Sequence, residues 1–72
     1  TVRRESAGVF RVIGRRIERL AAQTDFSIEE SAERFQRDLE RLGADAELRR
    51  AGVEPGDIVR VGSVELEWEA EP

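Results

Sequence analysis

The hydrophobic positions of this 72-residue chain change period along its length, and each change marks an element. In "GVFRVIG" (8–14), Val9, Phe10, Val12 and Ile13 flank Arg11 between two glycines, a short strand pattern buried on at least one face. In "RRIERLAAQT" (15–24), Ile17, Leu20, Ala21 and Thr24 recur at i, i+3, i+4 and i+7 while alternation is poor. That spacing favours a helix and leaves a strand open. "SIEESAERFQRDLERLG" (27–43) is the clearest element, with Ile28, Ala32, Phe35, Leu39 and Leu42 along one apolar stripe. Ser27 and Glu30 fit an S-x-x-E capping box, in which each side chain satisfies the other residue's free amide. Glu30 with Arg34 and Glu33 with Arg37 stand four apart in acid-first order, and Gly43 supplies a left-handed stop. Phe26 would meet Ser31 rather than an apolar staple partner, so it is expected in the common core.

"DAELRRAG" (45–52) predicts a second, shorter helix with Asp45 as cap and Leu48 and Ala51 as its buried side. Arg49 and Arg50 fall near the negative end of its dipole, and Gly52 ends it. Pro55 and Gly56 then favour a type II turn. Strands follow at 58–61 and 64–68, joined by Gly62 and Ser63, a Gly-X loop of type II′. This register sets Val61 opposite Val64, Arg60 opposite Glu65 and Val59 opposite Leu66. One face then carries Val59, Val61, Val64, Leu66 and Trp68. A phosphate-binding glycine loop should open into a helix N-terminus. Here the chain enters a strand, so the "GD" at 56–57 is read as a hairpin's entry turn. These elements define an α+β single domain, with helices packed on one face of a small sheet and a C-terminal β-hairpin. Its core is expected over residues 9–68, with 1–7 and 69–72 frayed.

Composition narrows the chemistry. A chain this short sits near the lower limit for a self-sufficient core, so caps and turns carry unusual weight. It has no cysteine, which excludes disulfides and thiolate metal sites and fits a reducing compartment. With no histidine either, Ser-His-Asp and Cys-His arrangements cannot be assembled, and nitrogen- or sulfur-loving metals find only carboxylates. The absence of lysine removes the Walker A motif, and with it a P-loop hydrolase. Carboxylate pairs are plentiful, but nearly all are placed to point at water. The domain is therefore not expected to be an enzyme, and no catalytic, cofactor or metal residue is assigned. No apolar run approaches the roughly 20 residues of a membrane span, and no signal-peptide pattern opens the chain. A start at Thr1 with no methionine anywhere is read as an excised domain of a longer protein.

Charge is dense, at 39% of residues, and net −4. Its distribution is uneven: residues 1–24 hold six arginines against two acids, and the remainder six against fourteen. A basic first third can meet phosphate while the acidic remainder repels it. Arg15, Arg16 and Arg19 are the candidate contacts, weighed against an ordinary solvated face. Phosphate contacts of this kind add salt-sensitive affinity with little sequence specificity.

Taken in order, "FRVIG", "RIERLAAQTDF", "AERFQRDLERLGADAEL" and "RAGVEPGDIVRVGSVELEW" resemble the C-terminal domain of the Obg family of GTPases. The resemblance covers about 10–68. Its more specific parts are "TDF" at 24–26, the phenylalanine-to-glycine run at 35–43, and 51–68. The family often has asparagine where Ile28 stands, alanine at Ser31 and methionine at Gln23. The resemblance implies a non-catalytic interaction or regulatory domain of a cytoplasmic GTP-binding protein acting in large ribosomal subunit assembly and the stress response. GTP and Mg2+ would be held by the parent's GTPase domain, with no cofactor in this one. Implied partners are the GTPase domain of the same chain and the large ribosomal subunit, with no membrane. A small independent RNA- or DNA-binding module is the alternative, since "GVEPGDIVRVG" also resembles turn-strand segments of such domains. The acidic balance counts against it.

Overall fold

The computed structural model describes residues 1–69. Among them, four strands and three helices follow in the order β1 (Val2–Ser6), β2 (Val9–Val12), α1 (Arg15–Gln23), α2 (Glu29–Arg41), α3 (Ala44–Ala51), β3 (Ile58–Val61) and β4 (Val64–Glu67). The sheet runs β1-β2-β3-β4. The two outer pairs are antiparallel hairpins, and the central pair β2–β3 is parallel. Parallel neighbours need a long crossover, and the three helices supply it. They lie on one face, where Phe10 and Val12 of β2 and Val59 and Val61 of β3 meet Ile17, Ala21, Phe35, Leu39 and Leu48, all buried. Trp68 closes this core just past β4. The expected α+β architecture is the observed one.

The C-terminal hairpin has the register read from its loop: Val61 faces Val64, Arg60 faces Glu65, and Val59 faces Leu66. Gly62 has φ 61°, and among the described residues no non-glycine has positive φ, the combination a II′ turn requires. Glu54 to Asp57 forms the predicted entry turn: the Asp57 amide donates to the Glu54 carbonyl at 3.0 Å, and Gly56 has φ 93°. The Asp57 carboxylate accepts from the Glu54 amide at 2.9 Å and locks the turn from the other side. The aspartate of the "GD" is therefore a turn clamp.

Residues 15–23 are helical, which settles the open choice there. Four local expectations are corrected. Residues 1–7, expected to fray, contain β1, which Val2–Val12 and Arg3–Arg11 pairing holds to β2. Backbone bonds rather than side-chain burial make this strand, since Val2 alone within it is even half-buried. Glu69 is exposed beyond β4, and 70–72 lie outside the described residues.

The capping box is absent. Ser27 donates its amide and its hydroxyl to the Asp25 carboxylate, a charged acceptor that wins the hydroxyl from the helix. Ile28 occupies the N-cap of α2 instead, in extended conformation and without a side-chain cap, and its side chain is 50% exposed. Replacement by asparagine should satisfy a free first-turn amide at little loss of burial. Ile28→Asn is expected to stabilise the chain by about 1 kcal/mol, read as a higher urea midpoint at unchanged slope.

In α3 the cap position belongs to Gly43, not Asp45, whose carboxylate accepts from Arg49 Nε at 2.9 Å. The buried side of α3 is Ala44 and Leu48, while Ala51 is exposed where the chain turns away. Gly52 and Val53 donate to the carbonyls of Arg49 and Leu48, both at 3.1 Å, a Schellman stop. On α2 the ion pair formed is Arg41 with Asp38 at 2.8 Å, three residues apart.

Candidate contact surface

The sheet face away from the helices is polar. Arg3, Arg11 and Arg60 stand in register across three strands, and Glu65 follows on the fourth. A bulge between Arg4 and Ser6 breaks the register at Glu5. Its carboxylate accepts from Arg11 Nε at 2.7 Å and lies 3.5 Å from Arg60 Nη1. Arg60 Nε in turn lies 2.8 Å from Glu65. Arg11 also donates to the Gly62 carbonyl at 3.2 Å. Arg11 and Arg60 are thus spent inside the domain. Glu5, in the stretch expected to fray, was the residue that local pattern could not single out.

The hydrogen bond from Arg11, aided by the charges of Arg11, Arg60 and Arg3, holds the Glu5 carboxyl below its ordinary 4.5. Ser27 likewise lowers Asp25 from 3.8. A carboxyl lowered by folding stabilises above its unfolded value and loses that contribution as pH falls through the folded one. Stability should therefore decline as pH drops below about 4.5, and Glu5→Gln should flatten the upper part of that decline in urea midpoints measured against pH.

The α1 arginines differ from Arg11 and Arg60. Arg15, Arg16 and Arg19 are exposed, and they line a shallow depression of about 400 Å³ together with Leu20. Among the described residues none of the three forms an ion pair. The nearest acid in sequence, Glu18, accepts from the Gly14 amide at 2.9 Å and rests beside the Gly62 turn. Arg15 and Arg16 occupy the first turn of α1, where the dipole is positive and cations are unfavourable. The structure thus brings all three sequence candidates to one surface.

A second concavity was not foreseen. It lies between α2 and β4, measures about 650 Å³, and has Phe26, Phe35, Leu66 and Trp68 in its lining. The Phe26 and Phe35 rings meet edge-on at 5.3 Å, and Arg49 lies 5.5 Å from the centre of the Trp68 ring. Its rim is acidic, with Glu29, Glu33 and Glu40 from α2 opposite Glu67 and Glu69. Residues so far apart in sequence give no local signal of a shared groove.

The "TDF" loop has structural work. Thr24 donates its hydroxyl to the Leu20 carbonyl at 2.7 Å, Asp25 holds Ser27, and Phe26 packs on Phe35. Among the described residues, no group of His, Cys, Asp and Glu is placed to hold a metal ion, and no helix is long and apolar enough to cross a membrane.

The fold and its surfaces define an α+β accessory domain that presents charge and grooves. The family described as "Domain of unknown function (DUF1967)" matches residues 1–68. GTPase Obg of Herpetosiphon aurantiacus is 51% identical over 67 residues, which is 93% of this chain and 15% of that protein. GTPase Obg of Rubrobacter xylanophilus is also 51% identical over 67 residues, covering 93% of the chain and 16% of the relative. The GTPase Obg of Bacillus pumilus is 42% identical over 67 residues, again 93% of the chain and 16% of the relative. The chain belongs to the DUF1967 family and is the C-terminal domain of an Obg-type protein, not its catalytic GTPase domain. It spans about 15–16% of the length of these relatives.

Proposed function

We propose that this domain is a contact and regulatory module of an Obg-like GTPase that acts in large ribosomal subunit assembly and the stress response in the cytoplasm. Arg15, Arg16 and Arg19 meet ribosomal RNA phosphates, while GTP and Mg2+ are handled by the parent's GTPase domain. One observation carries the reading: three exposed arginines share one depression on α1, two of them in its positive first turn, and among the described residues none of the three forms an ion pair. Charge held against the helix dipole, when an ordinary solvated face would do as well with acids, is what an anionic partner repays.

Co-sedimentation of the chain with purified large ribosomal subunits tests it, beside the Arg15/Arg16/Arg19→Glu triple variant. Salt-sensitive binding that the variant loses is expected. Failure of both forms to bind would overturn the ribosome contact. A second reading, docking onto the parent's GTPase domain, draws support from Ile13, 39% exposed just before α1.

A further inference from the structure

We propose that the open edge of β4, with the groove between it and α2, takes up an extended polypeptide segment as an additional strand, one that alternates aliphatic with lysine or arginine side chains. Among the described residues β4 is last in the sheet, so one of its edges has no neighbouring strand. The two-residue loop at Gly62 and Ser63 makes Val61–Val64 and Val59–Leu66 the pairs that exchange hydrogen bonds. The Trp68 amide continues the pattern by donating to the Asp57 carbonyl at 2.7 Å. The amides and carbonyls of Glu65 and Glu67 therefore face away from β3. Unmade backbone bonds along such an edge are a template for strand addition.

The side chains specify the added strand. Leu66 and Trp68 line the groove and Glu67 stands at its rim, while Glu65, outside the groove lining, pairs with Arg60; both glutamates are exposed. Leu66 is only half-buried, so the helices leave apolar surface beside the edge uncovered. One set of incoming side chains would lie on Leu66, Phe26 and Trp68. The alternate set would meet Glu67 and the exposed side of Glu65, whose carboxylate also holds Arg60 at 2.8 Å, with Glu29 and Glu33 across the groove adding to the negative field.

Charge also argues against other occupants. Two β4 edges brought together would oppose like charges. The β1 edge is basic, with Arg3 and Arg4, but its bulge before Ser6 interrupts the ladder a second copy would need. Nucleic acid would be repelled. The surface shares no lining residue with the α1 depression, so the inference stands apart from the ribosomal contact.

Trp68, the sole tryptophan of the chain, is a built-in reporter. The probes are a terminally blocked heptapeptide of alternating lysine and valine, its glutamate–valine counterpart, and the lysine peptide with all amides N-methylated. The lysine peptide is expected to change Trp68 emission saturably and to slow hydrogen exchange at the Glu65 and Glu67 amides. Full N-methylation should weaken binding by at least about tenfold, since backbone donors to the edge are lost. Glu65→Lys with Glu67→Lys should weaken it comparably, and the N-methylated peptide keeps the test independent of that variant's folding. Equal binding of the N-methylated or glutamate peptide would overturn the proposal. So would unprotected Glu65 and Glu67 amides at saturation, or sedimentation showing that these edges instead join copies of the chain.

Discussion

Replacement of Phe35 by alanine is expected to bring this domain to the edge of unfolding. Phe35 is 1% exposed on the central helix and meets Phe26 edge-on at 5.3 Å. Truncating a buried phenylalanine costs about 3–5 kcal/mol, through lost transfer energy and the cavity left behind. The edge-on ring pair adds about 0.5–1.5 kcal/mol. A domain of this length has a total stability of roughly 4–11 kcal/mol. The loss is thus comparable to the whole in the lower half of that range. Urea titration followed by Trp68 emission, backed by far-ultraviolet circular dichroism, should show a collapsed or missing transition. Ile28→Ala, from the same apolar stripe but half in solvent, should change stability by less than about 0.5 kcal/mol. A small effect at Phe35 would mean that the helix–sheet interface is not the main source of stability.

That contrast shows where sequence pattern ends. Helical spacing put Ile28 and Phe35 on one stripe, and only the helix boundary separates them. Asp25 competes for Ser27, so α2 starts after Ile28 and leaves it outside the packed layer. In α3 the same phase admits Ala44 or Ala51 beside Leu48, and the Schellman stop decides for Ala44 by turning the chain away at Gly52. The hairpin was legible because a two-residue glycine loop fixes its register and aliphatic residues then fall on one face. β1 was not, because a polar edge strand is made by its neighbour's backbone and carries little hydrophobic signature.

The candidate surface was legible in part for a related reason. Six arginines in the first third are visible as a surplus, but their partners are not. Arg11 is taken by Glu5 and the Gly62 carbonyl, the second contact spanning 51 positions. Among the described residues Arg15, Arg16 and Arg19 find no acid, because Glu18 turns back to accept from the Gly14 amide. What distinguishes contact from ladder is thus long-range pairing, which no local window contains.

The Arg15/Arg16/Arg19→Glu chain is expected to lose its association with large ribosomal subunits while folding at least as well as the parent sequence. Each phosphate neutralised contributes a slope of about 0.7–0.9 in the logarithm of affinity against that of salt. Three contacts therefore weaken binding by roughly tenfold to a hundredfold over a fourfold rise in salt. Charge reversal should lower the slope by about 2–3, the full share of the three arginines. Stability argues the same way, because glutamates at the first turn of α1 suit its dipole better than Arg15 and Arg16 do. Lost binding would thus not be lost folding, and unchanged Trp68 emission checks this directly. The matched control is Arg34/Arg37/Arg50→Glu, exposed arginines on α2 and α3 with the same change in net charge. Retained binding in the control with loss in the α1 variant would place the contact at the α1 depression. Equal loss in both would reduce the effect to bulk charge and remove the α1 arginines as a site.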